Sequence, residues 1–221
     1  MVLPEIIGGC LINNHCLHTL CGGGKIVFES PGLLKRDLEK AGRLPGKWDH
    51  FGRFSPDAQL FCIGCAMALE DAGIITATAR KRSGILVADN FEHESDQHTY
   101  FKDYVDAGRS MGRSSLFVHT LPTSAAADAS VCLQIGGPLL YSRDDAGIWT
   151  GLLITAADLL AEENIDAIIT ACRSGESLLC LVLAKSGRIG TALLNNADTA
   201  AISPEDIFNN LRMLLPESSD Q

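Results

Sequence analysis

The chain has 221 residues, 46% hydrophobic and 20% charged, which suits one domain with a buried core and excludes general disorder. A net charge of −9 opposes binding to phosphate backbones, and no nucleic-acid motif offsets it. The longest apolar runs, such as residues 178–184 (LLCLVLA), are too short to cross a bilayer, and no basic segment precedes an apolar signal core; a soluble cytoplasmic protein is expected.

Residues 5–13 (EIIGGCLIN) read as a buried strand, followed by a loop containing Gly22, Gly23 and Gly24. The segment 34–54 is mixed in charge, with Lys35, Arg36, Lys40, Arg43, Lys47 and Arg53. A helix is predicted over 55–72, with Ser55 as cap, Pro56 in its first turn and Gly73 at its end. Residues 84–89 (GILVAD) read as a short buried strand, and the charged run after them as a loop plus one amphipathic helix. Further helices are predicted near 123–134 and 147–163, with strands near 139–143 and 165–171. After Cys172 two apolar strands joined at Lys185-Ser186-Gly187 suggest an antiparallel hairpin near 178–195. Ser203, Pro204, Glu205 and Asp206 give a cap and an acidic first turn for a last helix. Strands alternating with helices imply an α/β domain over 1–221, with a mostly parallel central sheet flanked by helices.

Most of the eight cysteines lie in apolar runs, among them Cys62, Cys65, Cys132, Cys172 and Cys180, where cysteine acts as a small buried hydrophobe. Reduced thiols are expected. Two groups have metal-ligating residue types: Cys10, His15, Cys16, His18 and Cys21, and then Asp89, Glu92, His93, Glu94, Asp96 and His98. The first has no paired Cys-x2-Cys knuckle and the second reads as a solvated charged loop after a strand, so no metal is expected. The run Cys21-Gly22-Gly23-Gly24-Lys25 imitates a phosphate loop. However, Ile26 stands where Ser or Thr should hold magnesium, and Thr19 occupies the place of the first glycine. The basic residues of 35–53 and the run Arg80-Lys81-Arg82 read either as solvated faces or as a docking surface for an acidic carrier protein.

Two stretches resemble the β-ketoacyl synthases, of the thiolase-like fold. The helix RFSPDAQLFCIGCAMALEDAGI (53–74) is similar to that family's "RFSQ…A…ALEDAG" element, and 117–171 follows the order of its N-terminal half. That order is an FV/LP loop (Phe117, Val118, Leu121, Pro122), an Ala-rich helix, the Gly137-Pro138 turn, a strand, a helix and a buried strand opening near Asp166. Counted from either end, the family's nucleophilic cysteine falls on Ala146. Claisen condensation needs that thiolate, together with histidines that the family carries in its second half. The resemblance therefore implies no catalytic residue here, with Ser142, Asp144 and Asp145 as neighbours of the lost nucleophile, and no cofactor.

Family members without the cysteine are chain-length factors, which pair with an active ketosynthase and shape its acyl tunnel. The resemblance implies that role in fatty-acid or polyketide-type synthesis. The pairing and tunnel positions would be Phe117, Val118, His119, Leu121 and Pro122, then Leu139, Leu140, Tyr141, Ser142 and Arg143. Expected partners are a ketosynthase subunit or a second copy, with an acyl carrier protein as a further candidate. The alternative is a thioester-processing enzyme, a hydrolase or acyltransferase, using Ser142, His119 or the acidic pair. Against the latter, Asp144 and Asp145 equally suit the positive N-terminus of the following helix.

Overall fold

The computed structural model describes residues 4–45, 48–89, 94–109, 112–142, 148–162, 164–185 and 203–214. In chain order the elements are β1 (Glu5–Asn13), β2 (Cys16–Thr19), β3 (Lys25–Val27), α1 (Pro31–Lys40), α2 (Pro56–Asp71), α3 (Ala77–Lys81) and β4 (Ser83–Asp89). There follow α4 (Glu94–Asp106), α5 (Ser114–His119), α6 (Ser124–Leu133), β5 (Leu139–Ser142), α7 (Ile148–Ala161), β6 (Ala167–Ser174), β7 (Ser177–Ala184) and α8 (Pro204–Leu214).

The seven strands form one sheet in the order β3-β2-β1-β7-β6-β4-β5. Side chains alternate between its faces, as strand geometry requires. Cys10, Ile12, Ile85, Val87, Ile169 and Val182 join a core with α1, α2 and α6. Leu11, Leu86, Ile168, Leu179, Leu181 and Leu183 join a second core with α7 and α8. The α/β layer class expected from the sequence holds. The sheet is mixed rather than mostly parallel: β4 pairs in parallel with β5 and β6, while β1–β2, β2–β3, β1–β7 and β6–β7 are antiparallel.

An antiparallel hairpin does stand near the C-terminal end, but earlier than expected. It joins β6 to β7 around Gly175, whose φ is +57°, with Ser174 opposite Ser177. The reason is burial on both faces. A strand such as LLCLVLA needs partners on both edges, and β7 takes them from β1 and β6. The second strand of the expected 178–195 hairpin lies outside the described residues.

Helix α2 is the spine of the first core. Ser55 Oγ accepts the N–H of Ala58 at 3.2 Å, Pro56 opens the first turn, and Phe61, Cys62, Ile63, Met67 and Leu69 are buried. Burying each of its large apolar side chains stabilises the fold by roughly 1.5–3 kcal/mol. Its last turn explains the ALEDAG resemblance in physical terms. Glu70 takes both ends of the Arg43 guanidinium, at 2.7 Å and 2.6 Å. Asp71 accepts the N–H groups of Gly9, Cys21 and Gly22. The run that imitates a phosphate loop is thus the β2–β3 turn, tied to Asp71 and closed by Thr19 N–H on Gly24 O at 3.0 Å.

Helix α1 was not expected from the mixed-charge segment. Ser30 caps it, and Leu34 and Leu38 turn into the core. No described helix is long and apolar enough to cross a membrane.

Candidate partner-binding site

Strand β5 is the terminal strand of the sheet among the described residues. It is hydrogen-bonded in parallel to β4, from Ile85–Leu139 to Ala88–Ser142, and no described strand lies along its other edge. The Gly137 turn sets this strand in place. Gly137 N–H donates to Ser83 O at 2.9 Å, and a Cβ at Gly137 would lie 2.5 Å from that oxygen. Leu139 and Tyr141 pack against the α2 core, which turns Leu140 to the opposite face, where it is 40% exposed.

Phe117, Val118 and His119, expected in a loop, form the end of the short helix α5. Thr120 Oγ1 donates to Phe117 O at 2.7 Å, and Ser124 Oγ donates to Val118 O, so the turn into α6 closes on the end of that helix. Phe117 and Val118 stay 48% and 46% exposed, and Leu121 is also exposed. Tyr100 of α4 packs its ring 5.6 Å from Phe117 and stacks on Tyr104, while Phe101 and Val105 of α4 face solvent. Isolated exposed apolar residues are ordinary; several on the adjoining helices α4 and α5 make a larger apolar patch.

Of the ten proposed pairing residues nine are described: Leu139 to Ser142 on β5, and Phe117, Val118, His119, Leu121 and Pro122 on α5 and in the turn into α6. The remaining one, Arg143, lies outside the described residues, as do Asp144, Asp145 and Ala146. Ser142 and His119 are both half-buried, but no hydrogen bond joins them among the described residues.

Sequence reasoning missed two neighbours of this surface on α6. Asp128 is half-buried, its Oδ2 has no hydrogen-bond partner, and burial pushes its carboxyl up while the nearby His119 opposes that shift. One turn on, Cys132 is held below the usual thiol range by a hydrogen bond from the Cys62 thiol on α2, against the effect of burial. Nothing in spacing marks this pair in advance, since the two cysteines belong to separate helices.

No disulfide joins any of the eight cysteines in this structure. Among the described residues no cluster of His, Cys, Asp and Glu is arranged to hold a metal ion. Of the second candidate group, Glu92 and His93 lie outside those residues. The basic residues are largely engaged within the fold: Lys35 with Glu39, Arg43 with Glu70, and Arg82 with Asp166. Arg80, read as part of a solvated run, is buried.

No family model matches the chain, and no curated protein does. Solved structures do. A β-ketoacyl synthase from Burkholderia phymatum is similar with a TM-score of 0.55 at 14% identity, over 84% of this chain and 60% of that one. A ketosynthase (ApeO) in complex with its chain length factor (ApeC) from Xenorhabdus doucetiae is similar at 0.53 and 10% identity, over 86% of this chain and 81% of the matched chain. The ishigamide ketosynthase/chain length factor is similar at 0.51 and 14% identity, over 83% and 59%. The chain therefore spans about 60% of the length of the β-ketoacyl synthase it matches. Carried on a seven-stranded mixed sheet between two helical layers, it has the thiolase-like fold of the β-ketoacyl synthases.

Proposed function

We propose that this protein is a non-catalytic, chain-length-factor-like subunit that pairs with a ketosynthase, or with a second copy of itself, in fatty-acid or polyketide-type synthesis. The observation that carries this reading is β5, the terminal strand of the sheet among the described residues, with Leu140 exposed on it and Phe117, Val118 and Leu121 exposed at the end of α5 and in the turn after it. An edge of this kind recruits a partner strand unless something blunts it. Leu139 to Ser142 carry no charge and no proline that would do so. Coverage gives further support. The alignment takes in 60% of a ketosynthase but 81% of the chain matched in a ketosynthase–chain length factor complex, so that matched chain is close to this one in length.

The non-catalytic part of the proposal rests on Ala146 at the position of the family's nucleophile. Alanine cannot attack a thioester. An acyl carrier protein is a further candidate partner; of the cations in the 35–53 segment, Lys35 and Arg43 are held by Glu39 and Glu70, while Arg36 and Lys40 stand exposed beside Asp37.

The test is co-expression of the full chain with the ketosynthases of its host, followed by light scattering of the purified product. A dimer, mixed or self-paired, is expected, and Leu140→Lys should weaken it at least tenfold. Mass spectrometry after incubation with acyl and malonyl carrier protein should show no acylated chain. A monomer with every ketosynthase, or condensation or thioester hydrolysis by the chain alone, would overturn the reading.

A further inference from the structure

On the α2 side of the sheet a cavity of about 370 Å³ lies between the 42–45 segment, the C-terminal half of α2 and residues 74–80. Its apolar lining comes from Leu44, Pro45, Ala66, Leu69, Ile74 and Ile75. Two charged groups from the lining pair with each other. Arg43 and Glu70 form the bidentate contact described above, which neutralises both.

The third is Arg80, whose residue is only 7% exposed. Its Nε donates to Leu133 O at 2.7 Å, at the C-terminal end of α6, and its Nη1 donates to Ile75 O. These carbonyls anchor the guanidinium, but no carboxylate pairs with it among the described residues, and Nη2 has no partner there. Burial lowers its pKa from the usual value, yet an arginine keeps its charge in proteins. Its Nη2, which is not sealed from solvent, is thus a charged donor without a protein acceptor on the lining of a mostly apolar cavity.

We infer that this cavity binds a small organic monocarboxylate, with the carboxylate on Arg80 Nη2 and a short apolar body against Leu69, Ala66 and Ile74. Charge decides the class of ligand. One uncompensated positive charge suits one negative charge, and a dianion such as phosphate would leave a second charge unpaired against the apolar lining. Size agrees, since ligand cavities run from roughly 300 to 1,000 Å³. The site is separate from the β5 edge and does not depend on the pairing proposal.

Isothermal titration of the full chain with sodium hexanoate and sodium benzoate tests the inference, with hexan-1-ol and inorganic phosphate as controls. Saturable one-to-one binding of at least one carboxylate is expected, with hexanol and phosphate at least tenfold weaker. Arg80→Lys should reduce carboxylate affinity at least tenfold, because the ammonium's three donors sit on one nitrogen and cannot span two carbonyls on separate segments and a carboxylate as the planar guanidinium does. Where Arg80→Lys fails to fold, Leu44→Trp decides. It fills the cavity from a loop, leaves Arg80 in place, and should abolish binding. Absence of saturable binding by both carboxylates, equal binding of hexanol, tighter binding of phosphate, or unchanged affinity in Leu44→Trp would each overturn the assignment.

Discussion

Asp71 Oδ2 accepts the backbone N–H of Gly9 at 2.9 Å, joining the last turn of α2 to the middle of β1. The same oxygen takes Cys21 N–H at 2.8 Å and Oδ1 takes Gly22 N–H at 2.8 Å. One carboxylate thus satisfies three backbone donors that no ladder reaches. Hydrogen bonds to a charged acceptor contribute about 1.5–3 kcal/mol each, and three on one group are not additive. Asp71→Ala should therefore cost about 2–4 kcal/mol in chemical denaturation, with Asp71→Asn in between.

The neighbouring contact sets a second expectation. A Cβ at Gly8 would lie 2.4 Å from Ala72 N and 2.7 Å from Ala72 Cα, backbone atoms that cannot step aside. Gly8→Ala should cost about 3 kcal/mol or more, at the upper end of overpacking. Gly52→Ala, where nothing lies within 4 Å, should stay within about 0.5 kcal/mol of the parent. Thermal melts of the two variants side by side check the contrast.

Cys132 should be the thiol most sensitive to its partner. Its pKa is lowered by the hydrogen bond from Cys62, and the thiolate is the form that alkylates. Cys62→Ala removes that donor, so Cys132 should rise back toward the ordinary thiol range and react several-fold more slowly with iodoacetamide at pH 7. Cys16, half-buried on β2, provides the internal control and should keep its rate. Cys10 and Cys65, whose burial pushes their thiols well up, should stay unmodified until the chain unfolds. Peptide mass spectrometry reads all four sites.

Acid should loosen α8 first where Glu205 holds it. Burial opposes ionisation of this carboxyl, but hydrogen bonds from Ser177, its own backbone, Asn13 and Ser203 outweigh burial and hold it below the usual range. A folded pKa below the unfolded value contributes stability above the unfolded pKa of about 4.3, and loses it as pH falls through the folded one. The stability gap between the parent and Glu205→Gln, measured by guanidinium denaturation, should therefore be open at pH 6 and shrink at pH 3. A gap that is constant with pH would show that the carboxylate charge is not what holds the helix.

Elements with strong local signals were legible in the sequence. The Ser55-Pro56 start of α2, the apolar runs of β1, β4 and β6, and the Ser203-Pro204 start of α8 all stand within a few residues of expectation. Elements whose reason is tertiary were not. β2 and β3 are four and three residues long, and β3 leaves Lys25 and Val27 exposed, so no alternation announces them. α1 does carry a signal, Ser30 before Pro31 with Leu34 and Leu38 one turn apart, but charges dominate the segment. Arg80 opens a basic run whose next two residues, Lys81 and Arg82, are exposed. Only the carbonyls of Leu133 and Ile75, distant or across a turn, draw it inward. The candidate surface was legible as a set of positions because it follows family order. Its Asp128 and Cys132 were not, since their meaning depends on His119 and Cys62 arriving from other elements.

The place of β7 has a consequence for how the chain comes together. β1 at one end of the sequence and β6 far along it share no edge; β7 lies between them and bonds to both. Before residues 177–184 leave the ribosome, the strands β3-β2-β1 and β6-β4-β5 are two separate ribbons, each with an apolar edge open to solvent. Late, long-range closure of this kind slows folding, because loop entropy is lost before contacts repay it. The nascent chain is therefore most exposed to aggregation just before its seventh strand arrives. Substitutions that weaken β7, such as Leu181→Asp, should reduce soluble yield well beyond their effect on the finished fold.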